Sequence, residues 1–324
     1  MIAVLLAATL LAAAPPHATG TVRVDTIAAP ALGVSKRLVV YLPPSYASSQ
    51  RRRYPVAYYL HGLWGDETNW TTLGRLDAAM DSLVAAGTPE MIVVMPDGDD
   101  GWYTTWSHAA DPAACRADTT RKEPASSYCV RRARYDDYVT HDIVRWVDAH
   151  YRTRAERASR GIAGLSMGGY GAMTLALRHP DLFAAAASHS GVLAPLYAGP
   201  KPYAGAPRWA PSPDALHGFY GGIYPSLARA FGDDTASWWR RDPLRGERRG
   251  APPALFVDVG TDDPFVDQAR AFRDAAARLG LSITYAEWPG GHSWTYWRTH
   301  VAESLAWMAA RLAPARAAAA GRQP

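Results

Sequence analysis

Short runs rich in β-branched and aromatic residues alternate along this chain with longer stretches whose apolar positions recur at helical spacing. The runs at 21–27, 36–42, 55–61, 91–96, 159–164, 184–188, 255–259 and 283–287 predict strands. The stretches at 72–86, 135–150, 167–179 and 267–279 predict helices. The first two strands read as an antiparallel hairpin turning through 28–35. Later strands are separated by helices, and a connection through a helix favours parallel pairing with a right-handed crossover. The expected architecture is α/β, with one mostly parallel sheet flanked by helices.

Two segments break this rhythm. Residues 107–134 hold both cysteines, and residues 193–249 are rich in Pro, Gly, Trp and Tyr with little periodicity. Loops of such length inside a compact domain are lids or binding loops, or else disordered. Tyr197, Tyr203, Trp209, Phe219, Tyr220, Tyr224, Trp238 and Trp239 argue against disorder, which is aromatic-poor. The second segment is therefore expected to form an aromatic-rich cap insertion over the site. Cys115 and Cys129 either close their polar segment as a disulfide or stand as unrelated thiols. Neither a CxxC redox pair nor a zinc-ligand spacing is present, and no metal site is expected.

Residues 1–18 form an apolar Leu/Ala run followed by small residues and prolines, the pattern of a signal peptide without its positive start. A buried or membrane-anchoring helix is the alternative. Export would make the protein secreted or periplasmic, where a disulfide persists. No other apolar run reaches spanning length, so no stable membrane insertion is expected after signal removal. Residues 19–312 are assigned to one catalytic domain, and the Ala/Arg-rich tail at 313–324 is expected to fray. With 48% hydrophobic and 20% charged residues, the chain can bury a large core. A net charge of +4 is mildly basic, and no nucleic-acid-binding pattern accompanies the arginines, so nucleic acid is not an expected partner.

The strongest chemical signal is Gly164-Leu165-Ser166-Met167-Gly168, a G-x-S-x-G between a predicted strand and a predicted helix. A sharp turn there would hold the serine in a strained conformation, with neighbours no larger than glycine. It would expose the Ser166 hydroxyl at the carboxyl end of the sheet and aim the Met167 N–H where an oxyanion forms. The bland alternative is a glycine-rich turn with Ser166 as a helix cap. A serine hydroxyl needs a general base, and the base needs an orienting acid. The chain order Ser, acid, His points to Asp262 or Asp263 after the 255–259 strand, the other being free to cap the next helix. The base is His292, in the glycine-rich loop around Gly290-Gly291. His61 is expected to shape the oxyanion loop, and His189 either lines the site or supports it.

At these residues the sequence resembles the esterase D family of α/β-hydrolases, which includes S-formylglutathione hydrolases, feruloyl and acetyl-xylan esterases and the antigen 85 mycolyltransferases. The resemblance rests on YLPPSY at 41–46, YPVAYYLHG at 54–62, GLSMGG at 164–169, G-T-x-D at 260–263 and PGGHSWTYW at 289–297. Five motifs in order, spanning roughly 38–309, make it specific at family level. It implies the α/β-hydrolase fold and assigns the acid to Asp263, the last residue of G-x-x-D. It also implies that the oxyanion donors are the backbone N–H groups of Leu63 and Met167. The motifs around Trp102, Tyr103, Trp294 and Trp297 are closest to the mycolyltransferase branch, which makes these four the candidate substrate-binding residues. Thr295 replaces that branch's proline, and His61 its acidic residue.

The expected activity is a secreted serine carboxylic ester hydrolase acting through an acyl-enzyme on a small-molecule or glycan ester, with no cofactor. Two alternatives stand beside it. One is an acyltransferase that moves an acyl chain to a sugar hydroxyl, favoured if an aromatic cap excludes water. The other is a non-catalytic glycan-binding protein on the same scaffold.

Overall fold

The computed structural model describes residues 18–108, 111–119, 124–245 and 250–312. The signal-peptide run, apart from residue 18, and the tail at 313–324 lie outside the described residues. Eight strands form the central sheet: β1 (Thr21–Ala29), β2 (Val34–Leu42), β3 (Val56–Leu60), β4 (Ile92–Pro96), β5 (Arg160–Leu165), β6 (Ala185–His189), β7 (Ala254–Gly260) and β8 (Ile283–Trp288). Their order is β1-β2-β4-β3-β5-β6-β7-β8. The β1–β2 and β2–β4 pairs are antiparallel, and from β4 to β8 every pair is parallel. Every residue of β3, β4, β5 and β6 is buried. Both faces of these strands are covered, which is why their sequences read as continuous apolar runs without alternation.

One face is covered by α1 (Leu76–Ala85) and α5 (Trp294–Arg311), which contribute Leu76, Met80, Trp297, Val301, Leu305 and Met308 to one core layer. The other face carries α2 (Val144–His150), α3 (Met167–Arg178) and α4 (Val266–Arg278). Helix α2 continues a helical turn at Tyr135–Asp137 and a π-helical stretch at Tyr138–Ile143, within the predicted 135–150 helix. The predicted 72–86 helix begins only at Leu76, because Arg75 adopts φ 54° and separates it from the turn Asn69–Thr72. Helix α5 is not among the predicted helices. Its glycine-rich lead-in masked the 3- and 4-residue spacing of Trp297, Val301, Leu305 and Met308.

The 193–249 insertion is built from a small ribbon, Tyr197–Gly199 against Arg208–Trp209, and the helices Tyr224–Phe231 and Thr235–Arg240. Aromatic packing gives it rigidity in place of periodic structure. Trp238 is fully buried, donates Nε1–H to Gly232 O at 2.7 Å and packs on Phe231, whose ring also meets Trp102 and Tyr170. Since Tyr170 belongs to α3, the insertion is packed directly against the helix that follows Ser166.

Cys115 and Cys129 form a disulfide with a Cα–Cα separation of 5.6 Å. It joins the turns Pro112–Ala117 and Ala125–Tyr128, and the second turn presents Ser127 O to the buried Lys36 ammonium at 2.7 Å. A cross-link closing a loop of about 15 residues removes roughly 3 kcal/mol of unfolded-state freedom. Replacing both cysteines by serine is therefore expected to lower the unfolding free energy by about 3 kcal/mol. Chemical denaturation of the two proteins side by side measures this, and coincident curves would show that the cross-link contributes nothing.

Candidate active site

Strand β5 passes into α3 through Ser166, whose φ of 52° and ψ of −116° lie outside the ordinary regions for a residue with a side chain. The turn is fixed on both sides: Ser166 N–H donates to His189 O on β6 at 2.9 Å, and Ser166 O accepts from Tyr170 N–H at 3.0 Å. The flanking glycines are required by close approach. A Cβ on Gly164 would lie 2.4 Å from the Gly168 carbonyl, and one on Gly168 would lie 2.4 Å from Leu60 O. These are main-chain collisions that no side-chain movement relieves.

The three residues separated in sequence meet at this turn. His292 Nε2 lies 2.9 Å from Ser166 Oγ, and His292 Nδ1 lies 2.9 Å from Asp263 Oδ2. Asp263 is buried; its second oxygen accepts the Phe265 N–H at 2.9 Å. The two duties that might have been divided between neighbouring aspartates, orienting the histidine and holding the turn into α4, thus fall on one carboxylate. Asp262 is exposed, and its N–H donates to Gly290 O in the His292 loop at 2.9 Å. The His292 ring is set between Phe265 and Trp297, both edge-on, with centroids at 5.1 and 4.9 Å.

Facing Ser166 is the 61–65 turn, with Gly62 packed against Leu165 and Ser166. Fully buried His61 donates from Nδ1 to Gly62 O at 2.7 Å, while its Nε2 accepts the Gly98 N–H at 2.9 Å. The Gly62 carbonyl and the Leu63 N–H are two ends of one planar peptide, so this bond orients the Leu63 N–H. Burial opposes a second proton on His61, but Asp97 at 3.7 Å, the Gly62 carbonyl and Asp100 together outweigh it and raise the pKa. With the Gly98 N–H occupying Nε2, the ring in this arrangement is the neutral Nδ1–H form.

Behind His61 lies a buried charge cluster. Lys36 contacts Asp97 at 2.5 Å and Asp99 at 2.8 Å, and Tyr135 donates to Asp99 at 2.7 Å. Burial and the Asp97 charge push Asp99 up to about 6, whereas His61 and Lys36 overcome burial at Asp97 and hold it below the usual carboxylate range. The cluster ties β2, the loop after β4 and the disulfide segment to the histidine that orients Leu63.

Ser166 and His292 open into a cavity of about 520 Å³, lined mainly by apolar side chains. Of the four candidate substrate-binding residues, Trp102, Trp294 and Trp297 line it. Tyr103 does not. It is fully buried, with its ring against Gly98 and Gly171 and its hydroxyl donating to His61 O at 3.2 Å, so it supports the 61–65 turn from below. The insertion supplies Phe219, Tyr220 and Ile223, and Phe265 and Leu73 complete the apolar lining. Of these, Phe265 was within reach of sequence reasoning, since it lies two residues past the acid. Trp64, 72% exposed at φ 61°, stands at the mouth, its N–H bonded to Asp100 at 2.8 Å. His189 is buried away from the cavity. Among the described residues no His, Cys, Asp and Glu side chains cluster as a metal-holding group, and no helix is long and apolar enough to cross a membrane.

Known proteins resemble this chain in sequence and in fold. The Esterase family model matches residues 29–308. An esterase of Mycobacterium tuberculosis is 30% identical over 274 residues, covering 81% of this chain and 53% of that protein. This chain thus spans about half the length of that curated relative. An S-formylglutathione hydrolase of Paracoccus denitrificans is 25% identical, covering 87% of this chain and 90% of that protein. A solved ferulic acid esterase superposes with a TM-score of 0.67 at 25% identity, covering 91% of this chain and 99% of its own. With the α/β-hydrolase architecture, the motifs in order and a family match across most of its length, this chain belongs to the Esterase family.

Proposed function

We propose that this protein is an exported serine carboxylic ester hydrolase that works through an acyl-enzyme on Ser166. The observation that carries the reading is the continuous contact Ser166 Oγ, His292 Nε2, His292 Nδ1, Asp263 Oδ2 at the floor of an open apolar cavity. Ser166 Oγ attacks the ester carbonyl carbon while His292 takes its proton, and Asp263 stabilises the resulting imidazolium and fixes the ring. The Leu63 and Met167 N–H groups receive the oxyanion. Collapse expels the alcohol with the proton from His292. Water, deprotonated by His292, then attacks the acyl carbon; the acyl–Oγ bond breaks, the carboxylic acid leaves and His292 returns the proton to Ser166 Oγ. The apolar lining around Trp102, Phe219, Ile223 and Trp294 suits an acyl group of low polarity. Relatives named as an acetyl esterase and an S-formylglutathione hydrolase support ester chemistry as a class. Export is supported by the leader pattern and by the Cys115–Cys129 disulfide, a cross-link that persists in oxidising compartments.

The aromatic lining also favours a second outcome for the same acyl-enzyme, transfer to a sugar hydroxyl instead of water. Turnover of p-nitrophenyl esters from acetate to palmitate, with and without an added sugar acceptor, separates the two by their products. Ester hydrolysis is expected to fall by about 10⁴-fold or more in Ser166→Ala, together with loss of fluorophosphonate labelling at that residue. Undiminished turnover in the variant would remove Ser166 as nucleophile, and glycan binding without any turnover would favour a non-catalytic protein. His61→Phe keeps the ring volume but loses the Gly62 bond. Its kcat is expected to drop roughly 10- to 100-fold at little-changed KM, since loss of a whole oxyanion donor costs about 10²–10³. Ile223→Trp fills the cavity and is expected to move the preferred acyl chain toward acetate, read as the ratio of kcat/KM across the ester series.

A further inference from the structure

Beneath the cavity is a second Ser, His and Asp array that the proposed chemistry leaves unused. His189, Asp258 and Ser304 are all completely buried. His189 Nε2 lies 2.8 Å from Ser304 Oγ, and its Nδ1 approaches Asp258 Oδ2 to 2.6 Å without hydrogen-bond alignment, an ion-pair contact in its geometry. Ser304 Oγ donates its single hydrogen to Val301 O at 3.0 Å, so it accepts from His189 Nε2–H. The Tyr59 hydroxyl lies 3.0 Å from the same oxygen. The other Asp258 oxygen accepts from the Tyr296 hydroxyl at 3.0 Å. Without access to solvent or to the cavity, the array cannot meet an ester.

Such a network is costly to bury, and well-packed apolar residues in its place are often equally stable or more so. What distinguishes this one is the set of segments it joins. The main chain of His189 accepts the Ser166 N–H at 2.9 Å, and the main chain of Asp258 accepts the Ser190 N–H at 2.8 Å. Asp258 lies on β7, the strand that leads to Asp263. Tyr296 is in the first turn of α5, four residues after His292. Its ring lies against Gly290 of the His292 loop, and its neighbour Trp297 packs edge-on against His292. The strand beside the nucleophile, the strand that leads to the acid and the helix that follows the base are therefore joined at one buried point.

We infer that Tyr296, held through its hydroxyl by the Asp258–His189 pair, is a positioning residue that sets His292 against Ser166. The inference rests on the proposed roles of Ser166 and His292. Tyr296→Phe removes one hydroxyl and keeps the ring. Turnover of p-nitrophenyl acetate is normalised to sites titrated with a fluorophosphonate, so that unfolded molecules do not count. The variant is expected to lose about tenfold in kcat per titrated site, with KM within about twofold and a displaced acid limb in the pH profile of kcat/KM, because small misplacements of reacting groups are costly. A support role confined to stability would lower the melting temperature and leave kcat per site and the acid limb unchanged, which would overturn the inference. Ser304→Ala, at the far end of the array, provides the same test if Tyr296→Phe does not fold: a reduced kcat per site supports the inference, and an unchanged one overturns it. Wild-type turnover that survives Ser166→Ala would instead overturn the nucleophile, and the positioning role with it. A Tyr296→Phe enzyme with unchanged kinetics and Ser166-dependent turnover would overturn the positioning role alone.

Discussion

A positive φ at Ser166 is the constraint around which the rest of the molecule is arranged. A residue with a side chain in that region costs about 1–3 kcal/mol and persists only where its surroundings over-determine it. Here the surroundings are the His189 carbonyl on one side, the first turn of α3 on the other, and two glycines pressed against main chain. That fixation depends on β6 lying beside β5, and on β3 approaching closely enough for Leu60 to touch Gly168. The sheet order is thus part of the site: a chain with the same local turn and other neighbours would let Ser166 relax.

The proposed oxyanion side shows a comparable hierarchy. Leu63 offers a backbone group, the Gly62 carbonyl orients that group, His61 holds the carbonyl, and the Gly98 N–H holds His61. Beyond these the buried Lys36 balances Asp97 and Asp99. An uncompensated charge at this depth would be severely destabilising. Each member is therefore committed to its neighbours, and the disulfide segment completes the shell through Ser127.

What could be read from the sequence follows physical locality. The G-x-S-x-G turn carries its own steric logic within five residues, and the chain order pointed to Ser166, then Asp262 or Asp263, then His292, with the choice of Asp263 implied by the family resemblance. The inner strands β3 to β6 were visible because burial on both faces produces continuous apolar runs, whereas the strand order across the sheet depends on contacts distant in sequence. Helix α5 was hidden by the glycines before it, and the inward faces of Phe219 and Ile223 by an insertion held through aromatic packing without a period. Tyr103 illustrates the opposite error. It sits in a motif that resembles the mycolyltransferase branch, yet its ring is spent on packing beneath His61.

The core holds two Ser–His–Asp arrays with nearly the same nitrogen-to-oxygen distances, of which one faces a cavity and the other none. A template built from interatomic distances would retrieve both and rank the buried one no lower. What separates a reagent from a strut, in this fold, is a vacant volume beside the hydroxyl and a route by which water reaches it. Enzymes of this architecture could therefore gain or lose a reactive centre through the small side chains that gate such a route, with the polar array itself untouched.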